Sequence, residues 1–191
     1  MARERKFSTD ALYRETKHIL LQDGYEGFTF GILASNLGVS RGALYKYYDH
    51  KDDLITDYMV YETEQSVEKL KQIDAINDFE DQFDYLLEVI LKDTDIHRIR
   101  QMAMNLPQTN HEKTEANKQK IMDLHQTMYH SMQGFVDKGK RESKLKQELP
   151  NDLIIGFLFG TIDLPKPKSI AYFEWIKSIK EIIRHGMITE K

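Results

Sequence analysis

FTFGILASNLGVSRGALYKYYDHKDDL, residues 28–54, is the stretch that decides the fold. Thr29 is an N-cap residue, because its hydroxyl can accept a free backbone N–H of a first helical turn. The helix it opens carries Phe30, Leu33, Ala34 and Leu37 on one face at helical spacing. Gly38 supplies the left-handed residue that closes such a helix, and Val39 packs back. Ser40 is then expected to cap a second helix over 41–48. A capped helix, a turn holding glycine and a second capped helix make a helix-turn-helix. In the second helix Leu44 and Tyr48 are four apart and take the core side. Tyr45 and Tyr47 are two apart and cannot both join them, so they fall on the outer side with Arg41 and Lys46. Those side chains suit phosphates and base edges, and the Arg41 guanidinium can pair bidentately with guanine.

Outward from this stretch, composition sets bounds. The chain has 191 residues, 40% hydrophobic and 30% charged, with four prolines, enough for one or two domains with real cores. Helix formers dominate and β-branched alternation is scarce, so the expected class is all-α. The net charge of −4 excludes a uniformly basic nucleic-acid binder but not a locally basic one. Arg3, Arg5 and Lys6 face Glu4 alone in a basic arm over 1–7, readable as a solvated terminus or as a minor-groove or phosphate contact. Acidic runs lie at 49–53 and 74–84. The absence of cysteine excludes disulfides, thiolate chemistry and cysteine-based zinc sites. There is no signal-peptide pattern, and the apolar run over 153–164 is shorter than the roughly 20 residues a bilayer requires. A soluble, cytoplasmic protein is expected.

The remaining chain reads as amphipathic helices. Ser8 or Thr9 opens a helix to about residue 22, stopped at Asp23-Gly24, and Phe28 reads as a hydrophobic staple. A long helix begins near Lys51, with Asp52 and Asp53 in its first turn, and runs to 72. Lys51 opposes the helix dipole there, which points to another task such as a phosphate contact. After a break at 73–77, Asp78 caps a helix with Phe79, Phe83, Leu86, Leu87, Ile90 and Leu91 inward. A helix over 94–106 is stopped by Pro107. Another spans 110–140, with Ile121, Leu124, Met128, Met132 and Phe135 inward, and ends in a basic segment, 138–146, read as solvated. Pro150 opens a helix whose apolar face is Leu153, Ile154, Phe157, Leu158 and Ile162, with Gly156 and Gly160 leaving a smooth strip. Ser169 caps the last helix, with Tyr172, Phe173, Ile176, Ile179, Ile182 and Ile183 inward and Gly186 at its end. This gives about nine helices by periodicity and caps, no strand and no internal repeat.

Over residues 8–55 the chain resembles the TetR family of bacterial transcriptional regulators. The resemblance rests on Thr29, Leu33-Ala34, Leu37-Gly38-Val39-Ser40, Gly42, Leu44-Tyr45-Lys46-Tyr47-Tyr48, Lys51 and Leu54. It implies an N-terminal three-helix DNA-binding domain over 1–50 and a C-terminal regulatory and dimerisation domain over 51–191. It implies that Thr29 and Tyr47 touch phosphates, and that Lys51 does so from a helix N-terminus. Ser40, Arg41, Gly42, Ala43, Tyr45 and Lys46 would face the groove. Two positions depart from the family pattern. Gly31 and Ile32 stand where polar residues are usual, one often acidic, and Gly31 costs a helix interior roughly 1 kcal/mol. Ile32 is expected to be exposed or to pack on the helix after the motif.

One helix in one groove rarely gives specific affinity, so a homodimer is expected, reading half-sites about 34–36 Å apart or a multiple of that. Its surface would be the last two helices, 151–164 and 169–186, where Tyr172 and Trp175 flank an apolar stripe. A ligand pocket would draw on Tyr58, Tyr61, Phe83, Met102, Met122, His125, Met128 and Tyr129, all of which read equally as plain core. His125 could titrate or be a hydrogen-bonded core histidine. Nucleophile-elbow, phosphate-loop, dinucleotide and metal-ligand spacings are absent, so neither enzyme, cofactor nor metal is expected. The function expected is a repressor released from a palindromic operator by a small molecule. The alternative is a DNA-binding regulator without a ligand, controlled by a protein partner.

Overall fold

Ser8 starts the first helix, α1 (Thr9–Gly27), and its hydroxyl accepts the Ala11 N–H at 3.1 Å. The computed structural model describes residues 7–91, 99, 102, 110–161, 164, 167 and 169–188. Gly24 breaks α1 with a φ of 68°, where the sequence places the stop, but one further turn to Gly27 follows. Thr29 caps α2 (Phe30–Asn36) by accepting the Ile32 N–H at 3.2 Å. α2 closes by two bonds, Val39 N–H to Ala34 O at 2.9 Å and Gly38 N–H to Ser35 O at 3.1 Å. That pair is a Schellman stop, which needs Gly38 at its φ of 64°.

α3 is shorter than expected. It covers Arg41–Leu44, and Tyr45 to Tyr47 continue as a turn, tightened by the Tyr47 N–H donating to Leu44 O at 2.9 Å. Ser40 has the extended backbone of a cap, but its hydroxyl makes no capping bond; its carbonyl accepts the Ala43 N–H at 2.9 Å instead. α4 (Lys51–Lys71) leads into a 3-10 turn, Gln72–Ala75, where the sequence suggested only a break. Asp78 caps α5 (Phe79–Leu91), accepting the Glu80 and Asp81 N–H groups at 2.8 and 3.2 Å. The helix expected over 94–106 lies outside the described residues apart from Ile99 and Met102, both helical. Then come α6 (Glu112–Arg141), α7 (Asn151–Gly160) and α8 (Tyr172–Met187). Among the described residues the chain is thus all-α, with eight helices and one isolated bridge between Leu145 and Ile188. No described helix is long and apolar enough to cross a membrane.

The chain forms two compact units, Met1–Thr63 with Asp95–Asp123, and Glu64–Thr94 with Leu124–Lys191. α4 and α6 carry residues of both. The unit holding the helix-turn-helix therefore takes in more chain than residues 1–50. Its core gathers Leu12, Ile19 and Leu20 of α1, Phe28, Phe30, Leu33 and Leu44, and Leu54, Ile55 and Tyr58 of α4. The second unit packs Phe79, Phe83, Leu86 and Leu87 of α5 against Met132, Phe135 and Val136 of α6. It also buries Ile154, Ile155 and Leu158 of α7, and Ile179 and Ile183 of α8.

In the second unit the two last helices divide their apolar residues differently from the sequence expectation. On α7 the buried arc is Ile154, Ile155 and Leu158, whereas Leu153 and Phe157 are exposed. On α8, Ile179, Ile183 and Met187 are buried, Trp175 and Ile176 are half-buried, and Tyr172, Phe173 and Ile182 are exposed. Ala171, not Ser169, occupies the cap position.

The basic segment after α6 is docked, not merely solvated. Leu145 is buried, and the Lys146 ammonium donates to the carbonyls of His185 and Gly186 at 3.1 and 3.2 Å, satisfying the end of α8. Gly139 makes this closure possible, since a Cβ there would stand 2.6 Å from a Phe79 ring carbon and 2.7 Å from Leu145 Cδ1. Gly139→Ala should therefore lower stability by about 1–3 kcal/mol through overpacking, despite the better helix propensity of alanine. Chemical denaturation checks this, and an unchanged or raised midpoint would contradict the packing described.

Candidate nucleic-acid interface

The second short helix of the helix-turn-helix is a single turn, so its outward surface depends on what holds its inner one. Leu44 is fully buried and Tyr48 nearly so. The Tyr48 hydroxyl donates to Asp57 Oδ2 on α4 at 2.8 Å, and Tyr13 of α1 approaches the same oxygen at 3.4 Å. Lys113 of α6 lies 3.7 Å from that carboxylate and 4.4 Å from the Tyr48 ring centre. With the inner side fixed, Ser40, Arg41, Gly42, Tyr45, Lys46 and Tyr47 are exposed and Ala43 is half-buried. The expected outward row is therefore present, with Tyr45 at 47% and Tyr47 at 41% exposure. Each tyrosine is steadied by an aromatic neighbour that the sequence reading assigned no such role. Tyr45 meets Phe30 edge-on at 5.1 Å, and Tyr47 meets Phe7 edge-on at 5.7 Å.

Beside this row is a cleft of about 520 Å³, lined by Glu26, Phe28, Thr29, Phe30, Gly31, Arg41, Tyr45, Asp49, His50 and Lys51. It brings together four residues singled out from the sequence, Thr29, Arg41, Tyr45 and Lys51. It also contains two carboxylates, Glu26 and Asp49, which the sequence did not connect to Arg41. Gly31 lies in its wall and Ile32 is exposed. That exposure is one of the two outcomes expected of Ile32; nothing in the structure explains why the residue is apolar.

Lys51 is engaged within the protein. Its ammonium donates to Tyr25 O at 2.9 Å and lies 3.9 Å from the Tyr25 ring centre. The Tyr25 hydroxyl in turn donates to Asp52 Oδ1 at 2.8 Å. The task that the sequence sought for Lys51 thus includes closing the chain just past the Gly24 break. Asp52 and Asp53 are buried rather than solvated. Asp53 Oδ1 accepts the Thr114 hydroxyl of α6 at 2.7 Å, and Asn117 donates to Thr56 at 3.2 Å. His50 stacks on His111 with ring centres 3.6 Å apart.

Burial, then the hydrogen bond to Asp57, raises the Tyr48 pKa above the usual tyrosine value; burial and the bond to Asp52 act likewise on Tyr25. Both phenols are therefore held protonated as donors.

The eight residues considered for a ligand pocket divide evenly between the two units. Tyr58, Tyr61, Met102 and Met122 belong to the first; Phe83, His125, Met128 and Tyr129 belong to the second. Tyr58 and Tyr61 come together around the Tyr13 ring, at 5.6 and 5.0 Å, while Met122 is exposed. Phe83 and Met128 are buried in the second core, and Tyr129 donates to Asp152. Among the described residues no group of three or more His, Cys, Asp or Glu side chains could hold a metal ion.

Residues 7–58 match the family model described as bacterial regulatory proteins, tetR family. The whole chain is similar in fold to solved regulators of low sequence identity. The ketosteroid transcriptional regulator KstR2 of Mycobacterium tuberculosis has a TM-score of 0.73 at 13% identity, with 100% of this chain and 98% of that one covered. FadR of Bacillus subtilis, in complex with stearoyl-CoA, gives 0.72 at 16% identity, covering 94% and 99%. A protein assigned as a transcriptional regulator from Saccharomonospora viridis, in complex with choline, gives 0.76 at 13% identity, covering 95% and 97%. No curated protein matches the sequence significantly.

Two predictions follow the geometry of this surface. Gly42 is exposed in α3 and a Cβ there would meet nothing, so no internal contact requires glycine. Gly42→Ala should leave the free protein as stable or more stable, by up to about 1 kcal/mol, yet weaken DNA binding by crowding an approaching duplex. Thermal unfolding with a binding titration separates the two effects, and unchanged affinity would show that nothing approaches Gly42 closely. The raised tyrosine pKa values give stability that is present below pH 10 and lost as pH rises above it. Tyr48→Phe should flatten that alkaline loss, measured as denaturation midpoints between about pH 9 and 11. A slope identical to the parent's would remove Tyr48 from the account.

Proposed function

We propose that this chain, a transcriptional regulator of the TetR family, is a homodimeric repressor that leaves a palindromic operator when a small molecule binds. The observation that carries the reading is the outward row Arg41, Tyr45, Lys46 and Tyr47, exposed on a turn of helix whose other side is buried in the core. In this reading Arg41 pairs with a base edge, Tyr45 and Lys46 face the groove with Ser40, Gly42 and Ala43, and Thr29 and Tyr47 touch phosphates. Lys51 contributes positive charge at the cleft wall while it anchors Tyr25.

Dimer formation is supported by the apolar residues that α7 and α8 leave exposed. Leu153 and Phe157, with Gly156 and Gly160 beside them, make a stripe at i, i+3, i+4 and i+7 on α7. Ile182 on α8, 63% exposed, continues a row from half-buried Trp175. A second copy covering these faces would remove them from water. Ligand control is supported by two proteins of the same fold, one carrying choline and the other stearoyl-CoA. α4, with residues in both units, is the proposed lever. The ligand must bind the released state more tightly than the DNA-bound one for such coupling to work.

Selection of duplexes from random sequence by the purified full chain tests the reading. The expected product is a two-fold symmetric site with half-sites about 10 bp apart, centre to centre, or a multiple of that. Arg41→Ala should lose about 1–3 kcal/mol of discrimination at one base position per half-site. Failure to enrich any sequence over the starting pool would sink the proposal.

A further inference from the structure

We infer that His50 is a further DNA contact, a phosphate donor that gains a proton when the duplex binds, held at the cleft by the ring of His111. This rests on the regulator reading above and adds to it a residue and a response to pH.

His50 is exposed and lines the cleft with Thr29, Arg41, Tyr45 and Lys51. It directly precedes Lys51, the first residue of α4. His111 stands at the start of α6, where its carbonyl accepts the Glu115 N–H at 3.1 Å. The two rings are stacked, with 3.6 Å between centres and 10° between planes. The helices behind them are fastened to each other, since Thr114 donates to Asp53 at 2.7 Å and Asn117 to Thr56 at 3.2 Å. The His50 ring thus rests on a fixed support while its residue borders the cleft. His111 Nδ1 is buried and has no hydrogen-bond partner among the described residues. That nitrogen suits a bare lone pair, since an N–H there would be a buried donor without an acceptor. His111 is therefore the support and His50 the ring that takes the proton. A protonated His50 can stay on it, because an aromatic face attracts a cation, whereas two cations would repel.

Charge gives that proton a task. In the cleft, Arg41 and Lys51 are matched by Glu26 and Asp49, so a proton on His50 makes the wall net positive. The Lys51 ammonium is directed to Tyr25, so a second donor at this end of the cleft is useful to a phosphate. The other charges on the elements behind the pair are engaged or exposed. On α4, Asp52 and Asp53 accept from Tyr25 and Thr114, and Asp57 accepts from Tyr48. In the first turns of α6, Lys113 lies 3.7 Å from Asp57, Glu115 pairs with Lys118 at 2.8 Å, and Glu112 is exposed. The positive ends of both helices act against a cation on either ring. An approaching phosphate acts the other way at His50, because it favours the charged ring and accepts its N–H. Binding of DNA and binding of a proton are then linked, each strengthening the other. Histidine is the side chain that makes such linkage felt near neutral pH.

The probe is the duplex that the full chain selects from random sequence, titrated at fixed salt between about pH 6 and 8. Affinity should rise as pH falls, by up to about tenfold per pH unit for each bound protomer, the limit set by one linked proton. Titration calorimetry in two buffers of different ionisation enthalpy should register proton uptake. His50→Gln, which keeps an N–H donor but cannot be charged, should remove most of the pH slope and of the uptake. His111→Phe, which keeps a flat ring and cannot titrate, should retain the slope. Thermal unfolding at each pH confirms that both variants are folded over the range used. A parent whose affinity is flat in pH, or weakens on acidification, overturns the His50 contact and leaves the regulator reading standing. So does a slope that survives His50→Gln or vanishes with His111→Phe. A full chain that enriches no duplex overturns the regulator reading, and the His50 contact with it.

Discussion

The bond from the Tyr48 hydroxyl to Asp57, together with the burial of Leu44, holds a helix that could not exist alone. Forming a first helical turn fixes several residues for a single hydrogen bond, which is unfavourable by a factor on the order of a thousand in isolation. α3 has four residues and no side-chain cap. Its geometry is therefore a tertiary product of α1, α4 and the first turns of α6, which converge on Asp57 through Tyr13 and Lys113. This constrains the outward face as well. Tyr45 and Tyr47 keep their directions because Phe30 and Phe7 brace them. A change in those supports would move the outward row without touching Arg41, Tyr45, Lys46 or Tyr47 themselves.

The same supports explain how an acidic chain can keep carboxylates of α4 away from its outward row. Asp52, Asp53 and Asp57 sit in the first two turns of α4. There, Asp52 and Asp53 gain from the positive end of the helix dipole and are turned inward onto hydroxyl donors. Each accepts from Tyr25, Thr114 or Tyr48 rather than projecting charge outward. A hydroxyl donor offsets part of the cost of burying each carboxylate and keeps its charge directed into the protein. The residual acids at the surface, Glu26 and Asp49, border the cleft with Arg41. The net charge of −4 is thus a poor guide to the field at the outward row.

The helix-turn-helix was legible because its signals are local. Thr29 as a cap, Gly38 as a left-handed stop and the Leu44–Tyr48 pairing need only a few neighbouring residues to operate, and each appears where the spacing places it. The same holds for Ser8, Asp78 and the α5 stripe. What could not be read was long-range. Whether Lys51 is free depends on where Tyr25, 26 residues earlier, leaves its carbonyl. Whether Asp53 is solvated depends on Thr114, 61 residues later. The length of α3 was overestimated because a helical pattern continues to Tyr48, whereas the i→i+3 bond at Tyr47 tightens the chain into a turn. The only available hint of the Tyr25 connection was chemical: a lysine at a helix N-terminus, against the dipole, needs a partner.

The last two helices show a different limit. Periodicity separates apolar from polar arcs, but it cannot separate an arc buried by the same chain from one awaiting another chain. On α7, Leu153 and Phe157 belong to the pattern as fully as Ile154 and Leu158, yet the second unit's core takes only the latter pair, with Ile155. Gly156 and Gly160 are exposed, on the arc that contains Leu153 and Phe157, and a Cβ at either would meet nothing. Glycines that relieve no crowding among the described residues cost helix stability with no gain from those residues. A flat strip bordered by exposed leucine and phenylalanine gains that cost back only if another surface comes close to it. The unfavourable residues on α7 therefore favour a covered face over a solvated one, as the apolar residues do by a separate argument.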